Sequence, residues 1–397
     1  MTIAPGTDTN SRGNSGDSNH PTYLDCNATT PVDPAVLAEV LLFLQDEYGN
    51  AGSRTHSYGQ RAKQRVNRAR EEVAAVVSAK PDEVVFTSGA TESNNIAILG
   101  LEEAGTRTAR RHIIATQIEH KAVLEPVERL RQRGFEVTLL PSSADGRINP
   151  DDVAEALRPD TLIVSIMAAN NETGVIQPIP DVAKVLDTHD AYFHVDAAQA
   201  FGKITNHIVS PRIDMISISG HKLYAPKGIG ALVVRRRGYN RVPLTPLTIG
   251  GGQERGLRSG TLPVALIAGL GTASIAAMTN HTVWRDHCLE LRRGLLDALK
   301  PLNADLNGDP EFTMPHTLNF SIPGVDSEAA IVALKDIAAI SNGSACTSQS
   351  YDPSHVLVAM GLSQKRIQGA LRFSWSHLTE LPNWSAIAER LHHIRTP

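Results

Sequence analysis

Cysteine is scarce in this 397-residue chain, which has only Cys26, Cys288 and Cys346. Their number is odd, their spacing is wide, and no two form a CxxC pair, which excludes a disulfide framework and a CxxC metal site. A reducing cytoplasm is the expected location. Strong charge of one sign is also missing. A net charge of -4 and a pI near 6.4 argue against direct nucleic-acid binding, which usually calls for a strongly basic surface. The one basic run, Arg235-Arg236-Arg237 with Arg241 nearby, follows the apolar "GALVV" and is expected to be a solvated strand end. No apolar stretch is expected to span a bilayer, so no membrane partner is expected. The first 20 residues, "MTIAPGTDTNSRGNSGDSNH", lack the apolar core of a secretion signal. Rich in Gly, Ser, Asn and Asp, they are expected to form a disordered tail. Internal repeats are absent as well.

What is present is enough apolar material, 41% of residues, for a large core or two smaller ones. In "DPAVLAEVLLFLQDEYG", Asp33 is placed as an N-cap and Pro34 at the first helical position. "EVVFTSG", "HIIAT", "EVTLLP", "TLIVSIMAA", "AYFHVD" and "DMISIS" read as strands, mostly separated by helical stretches. Their continuously apolar character predicts parallel strands covered on both faces, hence an α/β domain. After about residue 280 the pattern changes. The helix "VWRDHCLELRRGLLDALK", the strand "TLNFSI", the helix "SEAAIVALKDI" and the strand "LRFSW" predict a smaller α+β domain, with the "TYLD" strand packed on it.

Three strand ends carry chemistry. In "FTSGATESNN" a helix starts around Ala90-Thr91, where unpaired N–H groups and the positive dipole end suit a phosphate. An ordinary turn with Thr91 as N-cap explains that stretch equally well. In "FHVDAAQA", Asp196 ends a strand with Gln199 just beyond, either as a helix cap or as a carboxylate at the ligand-binding edge of the sheet. In "ISISGHKLYAPKGIGAL", Ser219, His221 and Lys222 crowd a third strand end. A lysine there loses solvation and basicity and gains nucleophilicity, unless it bends out to solvent. A phosphate site, a carboxylate and an amine at three strand ends are what pyridoxal 5'-phosphate requires. Lastly, Cys346 sits in "SNGSACTSQS", whose small polar residues suit an accessible, moving loop rather than a buried thiol.

With these stretches, the motifs "YLDCNATTPVDP", "SRTHSYGQ", "EHKAVLEP", "NNETGVIQPI", "HVDAAQAFGKI", "GGGQERGLRSGTLP" and "SNGSACTS" make the chain resemble the cysteine desulfurases of the class V aminotransferase type, in the group with a long cysteine-bearing loop. The resemblance runs from Tyr23 to about Ser374. It implies a pyridoxal-phosphate transferase of fold type I, with a large domain over 33–278 and a small domain of 21–32 plus 279–397 carrying the cysteine loop. Carried over by motif, Lys222 bonds the cofactor, His120 stacks on its ring and shuttles protons, Asp196 pairs with the ring nitrogen, and Gln199 contacts the phenolic oxygen. Ala90, Thr91, Ser219 and His221 hold the phosphate, and in a homodimer Thr261 of the partner subunit reaches it. Asn171 and Arg372 bind the L-cysteine substrate, the arginine through its carboxylate. Cys346 takes the substrate sulfur as a persulfide, alanine leaves, and an acceptor protein receives the sulfur. No metal is implied.

Some positions depart from the pattern. "GNAGS" lacks a proline common in that loop, and "RFSWSHLTELPNW" differs after Arg372. Cys26 is assigned a structural role, with a second relay thiol as the alternative. The short tail after Ser374 leads to the expectation of a specialised acceptor, such as a dedicated cluster assembly, a thio-modified metabolite, or DNA phosphorothioation. Selenocysteine lysis or amino transfer on the same fold, and an inactive binding scaffold, remain as other readings. The cysteine loop opposes the first two, and the joint presence of Lys222, His120, Asp196 and Cys346 opposes the scaffold.

Overall fold

The computed structural model describes residues 20–343 and 353–396. Cys346 and the expected N-terminal tail up to residue 19 lie outside them. The centre is a seven-stranded sheet of β1 (Val84–Thr87), β2 (His112–Thr116), β3 (Glu136–Leu140), β4 (Thr161–Met167), β5 (Tyr192–Asp196), β6 (Met215–Ser219) and β7 (Gly230–Val234). The order is β1-β7-β6-β5-β4-β2-β3, and β7 alone runs antiparallel to its neighbours. Every residue of β1, β2, β4 and β6 is buried. Both faces are covered: Val84, Phe86 and Ile114 join one apolar cluster, while Val85, Ile113 and Leu232 join another. That is the mainly parallel α/β sheet expected from the unbroken apolar runs.

A second, antiparallel sheet is made by Asp305–Leu306, Thr317–Ser321 and Ala370–Ser374. Phe320, Phe373, Trp375, Leu291 and Leu295 form its core. The segment after residue 21 attaches here, as expected: Thr22–Tyr23 pairs with Ala338–Ala339, and Asp25 bridges to Ser374.

Three expectations change. The helix expected from about residue 283 is the second half of one 36-residue helix, Val264–Leu299. Gly269 and Gly271 lie within it at points where other helices press close. A Cβ on Gly269 would lie 2.6 Å from Val40 Cγ2, and one on Gly271 would overlap Glu72 Oε2. From Val264 this helix is long and apolar enough, by length and composition, to cross a membrane, contrary to expectation; here over half of that stretch is buried inside the fold. The basic run is a solvated strand end only in part, since Arg241 is exposed and Arg236 and Arg237 are half-buried. Arg235 is buried and donates to the carbonyls of Val77 and Ser210, Arg236 pairs with Asp82, and Arg237 pairs with Asp214 at 2.7 Å. These guanidiniums satisfy loop carbonyls and a buried carboxylate.

Where the helix Ser57–Val76 meets Val264–Leu299, Arg65 joins Glu72 (2.9 Å), Glu39 (2.5 Å) and the Ala268 carbonyl (2.7 Å). Arg68 contacts the same Glu72 from solvent, at 75% side-chain exposure. Removing a buried partner strands a charge, at a cost of ~3–5 kcal/mol, whereas exposed pairs contribute ~0–1 kcal/mol. Arg65→Ala should therefore lower the urea midpoint strongly and Arg68→Ala hardly at all. Equal effects in equilibrium unfolding would refute this assignment.

Candidate active site

The C-terminal ends of the parallel strands open into a cavity of about 450 Å³. Ala90, Thr91, His120, Asn171, Asp196, Gln199, Ser219, His221, Lys222 and Arg372 all line it. Sequence positions nearly 300 residues apart thus converge on one space, of the size that takes a small cofactor. Thr261 is exposed and does not line it. A larger, more open groove of about 870 Å³ beside the antiparallel sheet, lined by Asp305, Lys365, Arg366 and His392 among others, gathers none of these groups.

One wall is the start of the helix Ala90–Leu99. β1 ends at Thr87, and the chain turns through Gly89 at φ 155°, a conformation that L side chains rarely adopt. Gly89 is the N-cap and has no side chain to cap the helix, so first-turn N–H groups are left for an anion. Ser219, at the end of β6, lies close by: a Cβ on Gly89 would sit 3.9 Å from its hydroxyl. His221 Nδ1 bonds the Thr29 hydroxyl at 3.1 Å. Burial, and then the charge of Lys222, push His221 down to about 4, so it is neutral at physiological pH.

The floor is Asp196 at the end of β5. Its Oδ2 accepts from Asn94 Nδ2 at 2.7 Å and its Oδ1 from the Ala198 N–H at 2.9 Å. His120 caps the helix Lys121–Arg131, with Nδ1 accepting from the Ala122 N–H at 3.0 Å. That bond leaves the proton of the neutral ring on Nε2. Burial lowers the His120 pKa, against the pull of Asp196 and with the push of Lys222. Lys222 Nζ donates to the carbonyls of Asn27 and Ala28, the latter at 2.6 Å. Gln199 Nε2 donates to the same Asn27 carbonyl at 3.0 Å.

Arg372 is 2% exposed. Its Nη2 pairs with Asp25 Oδ1 at 2.6 Å and its Nη1 donates to the Asn171 carbonyl at 3.0 Å. A fixed, buried guanidinium beside the cavity suits a substrate carboxylate.

This set fits pyridoxal phosphate. An uncapped helix start, a carboxylate, a lysine and an imidazole face one cavity, and two buried amide oxygens, Asn94 Oδ1 and Gln199 Oε1, have no hydrogen-bond partner. Unsatisfied buried acceptors are costly and mark a surface that awaits a ligand.

Motif reasoning missed three residues. Asn94 sits one helical turn after Ala90, so its cavity-facing position was legible from spacing. Asn27 and Asp25 have no local signal, because their partners lie 144 to 347 residues away. Cys26, between them, is 1% exposed and its thiol is pushed up to about 11 by burial, which supports the structural role.

Glu119, beside His120, is fully buried. Its Oε1 accepts from the Thr116 hydroxyl (2.8 Å) and the Met167 N–H (2.9 Å), and burial pushes its carboxyl up to about 8. The folded protein then keeps a proton that the unfolded chain releases from about pH 4.5 upward, so this group's contribution to stability falls progressively toward pH 8. Glu119→Gln copies the neutral acid. Its stability relative to wild type should rise between pH 5 and pH 8 in urea denaturation; a difference that does not change with pH would reject the buried neutral acid.

Comparison with known proteins agrees with this geometry. The aminotransferase class-V family model matches residues 22–381. A protein of Schizosaccharomyces pombe named probable cysteine desulfurase, mitochondrial, is 45% identical over 361 residues, 91% of this chain and 71% of that protein. The crystal structure of DndA from Streptomyces lividans is 54% identical, with a TM-score of 0.79 over 89% of this chain and 99% of that one. The structure of SspA in complex with cysteine is 36% identical, with a TM-score of 0.77 over 90% and 100%. The chain belongs to the aminotransferase class-V family, among its cysteine desulfurases.

Proposed function

We propose that this protein converts L-cysteine to L-alanine, keeps the sulfur as a persulfide on Cys346, and hands it to an acceptor protein. The observation that carries this reading is the sharing of one cavity by Lys222, Asp196, His120 and Arg372. When bound, pyridoxal phosphate acts as an electron sink that loosens the substrate Cα–H bond and then the Cβ–S bond. The chain's own residues do the rest. Arg372, steadied by Asp25 and the Asn171 carbonyl, holds the cysteine carboxylate. Lys222 Nζ takes the Cα proton. His120 starts with its proton on Nε2, so it acts first as a donor and becomes a base for the thiol only after giving that proton up. The Cys346 thiolate attacks the substrate sulfur, forming an S–S bond as the C–S bond breaks.

The active form is proposed to be a homodimer. Exposed Leu37, Leu41 and Leu44 on the helix Pro34–Gln45, and exposed Leu247 and Ile249 near Thr261, support burial against a second copy. The free, buried Cys26 and Cys288 suit a reducing compartment, although the S. pombe relative is named mitochondrial. The large and small domains are proposed at the boundaries given above, with the long helix Val264–Leu299 running through both. For the acceptor, we favour the specialised pathway of DNA phosphorothioation. The 54% identity to DndA, above the 45% to the S. pombe protein, supports it.

Lys222→Ala should abolish turnover, and borohydride treatment of the wild type should fix the cofactor on the Lys222 peptide. Label on any other lysine would sink that assignment. Cys346→Ser should bind cofactor and L-cysteine but release no alanine; alanine and sulfide at near the normal rate would show that another group attacks sulfur. Complementation tests the pathway. Rescue of iron–sulfur enzymes without rescue of DNA sulfur would reject the specialised acceptor.

A further inference from the structure

The stretch that carries Cys346 is flanked by the described residues Gly343 and Ser354; Ser354 bonds Glu172, and Gly343 lies beside it. The Ser354 hydroxyl donates to Glu172 Oε2 at 2.5 Å and accepts from the Leu357 N–H at 3.1 Å as the cap of the helix His355–Ala359. On the other flank, a Cβ on Gly343 would lie 3.4 Å from the same Oε2 and within 3.6 Å of Glu172 Cβ and Cγ. Gly343 sits at φ 88°, where glycine is favoured, and its N–H donates to the Ser341 hydroxyl at 3.0 Å. The next residue beyond Ser354 is tied as well: His355 Nε2 bonds the Glu119 carbonyl at 2.9 Å.

Glu172 is itself held firmly. Asn170 Oδ1 accepts from the N–H groups of Glu172 (2.8 Å) and Thr173 (3.0 Å), which closes a tight turn after β4. Asn319 Nδ2 donates to the Glu172 carbonyl at 3.0 Å. The preceding carbonyl, that of Asn171, receives Arg372 Nη1 and Asn27 Nδ2. One turn therefore holds the substrate-binding arginine through residue 171 and the Ser354 flank of the cysteine stretch through residue 172.

We propose that Glu172 is a positioning residue for sulfur transfer: its carboxyl fixes the Ser354 flank of the Cys346 stretch in the frame that holds Arg372. This rests on the reading of Cys346 as the sulfur acceptor. A carboxyl 4% exposed on a backbone turn is a rigid anchor, because few rotamers remain open to it. Burial raises the Glu172 pKa, with the Ser354 hydroxyl and the charges of His355, Arg372 and Lys121 acting the other way. Glutamine keeps the shape of the side chain and an oxygen that accepts from the Ser354 hydroxyl.

The test uses the full-length, cofactor-loaded protein with Glu172→Gln, Glu172→Ala and Ser354→Ala. L-cysteine binding is read from the absorbance change of the bound cofactor, and sulfur on Cys346 from quench and mass spectrometry. Hydrogen exchange over 354–360 reports the flank itself. A misplacement of about 1 Å costs a reaction on the order of 100-fold. Both alanine variants should bind L-cysteine within about 3-fold of wild type, lose about 10- to 100-fold in persulfide formation, and exchange faster over 354–360. Glu172→Gln should stay within about 3-fold on both steps. Persulfide formation at the normal rate in both alanine variants would overturn the proposal, as would equal loss of cysteine binding or a glutamine variant as impaired as alanine. If Glu172→Ala does not fold, Ser354→Ala decides the matter by the same criteria. Wild-type protein that forms no persulfide on Cys346 would overturn the desulfurase reading, which separates the two failures.

Discussion

The ion pair between Arg372 and Asp25 is the contact on which the site's architecture depends. It buries a guanidinium beside the cofactor cavity and joins a segment near the start of the chain to a strand near its end. A buried arginine without its carboxylate would be strongly unfavourable, so Asp25 must stay where it is. The residues after it are then committed. Asn27 and Ala28 present their carbonyls to Lys222, Asn27 presents the same carbonyl to Gln199, and Thr30 bonds the His221 carbonyl. A segment with almost no regular structure thus sets the positions of the lysine, the glutamine and the arginine together.

Burial sets the charges in the cavity. The same desolvation that keeps His221 neutral and lowers His120 raises Glu119, the carboxyl next to His120 in the chain. The dry environment strengthens each remaining attraction, including those around Asp196. The His120 imidazole and Lys222 are the groups proposed for proton transfer, and the fixed Arg372 guanidinium for substrate binding.

Much of this was legible in the sequence because it is local. The apolar runs predicted the parallel strands, and strand ends followed by Ser-Gly, Asp and Gly-His-Lys predicted the cavity edge. What was not legible depends on tertiary contact. Gly269 and Gly271 carried no signal in the sequence, yet they allow close packing against Val40 and Glu72. Arg235 and Arg237 after "GALVV" read as solvated, yet carbonyls and Asp214 draw them inward. Asp25 and Asn27 resemble loop residues until the strand carrying Arg372 is placed beside them. The roles of the cavity residues came from motif resemblance rather than from any periodicity. Spacing alone would not have singled out His120 among 15 histidines.

The central claim is that this cavity removes sulfur from L-cysteine and that Cys346 receives it. A single turnover with sulfur-labelled L-cysteine tests it most directly, counting alanine released against label on the Cys346 peptide. The account predicts equal amounts of alanine and of label on Cys346. Alanine released in full with no label on Cys346 would contradict it.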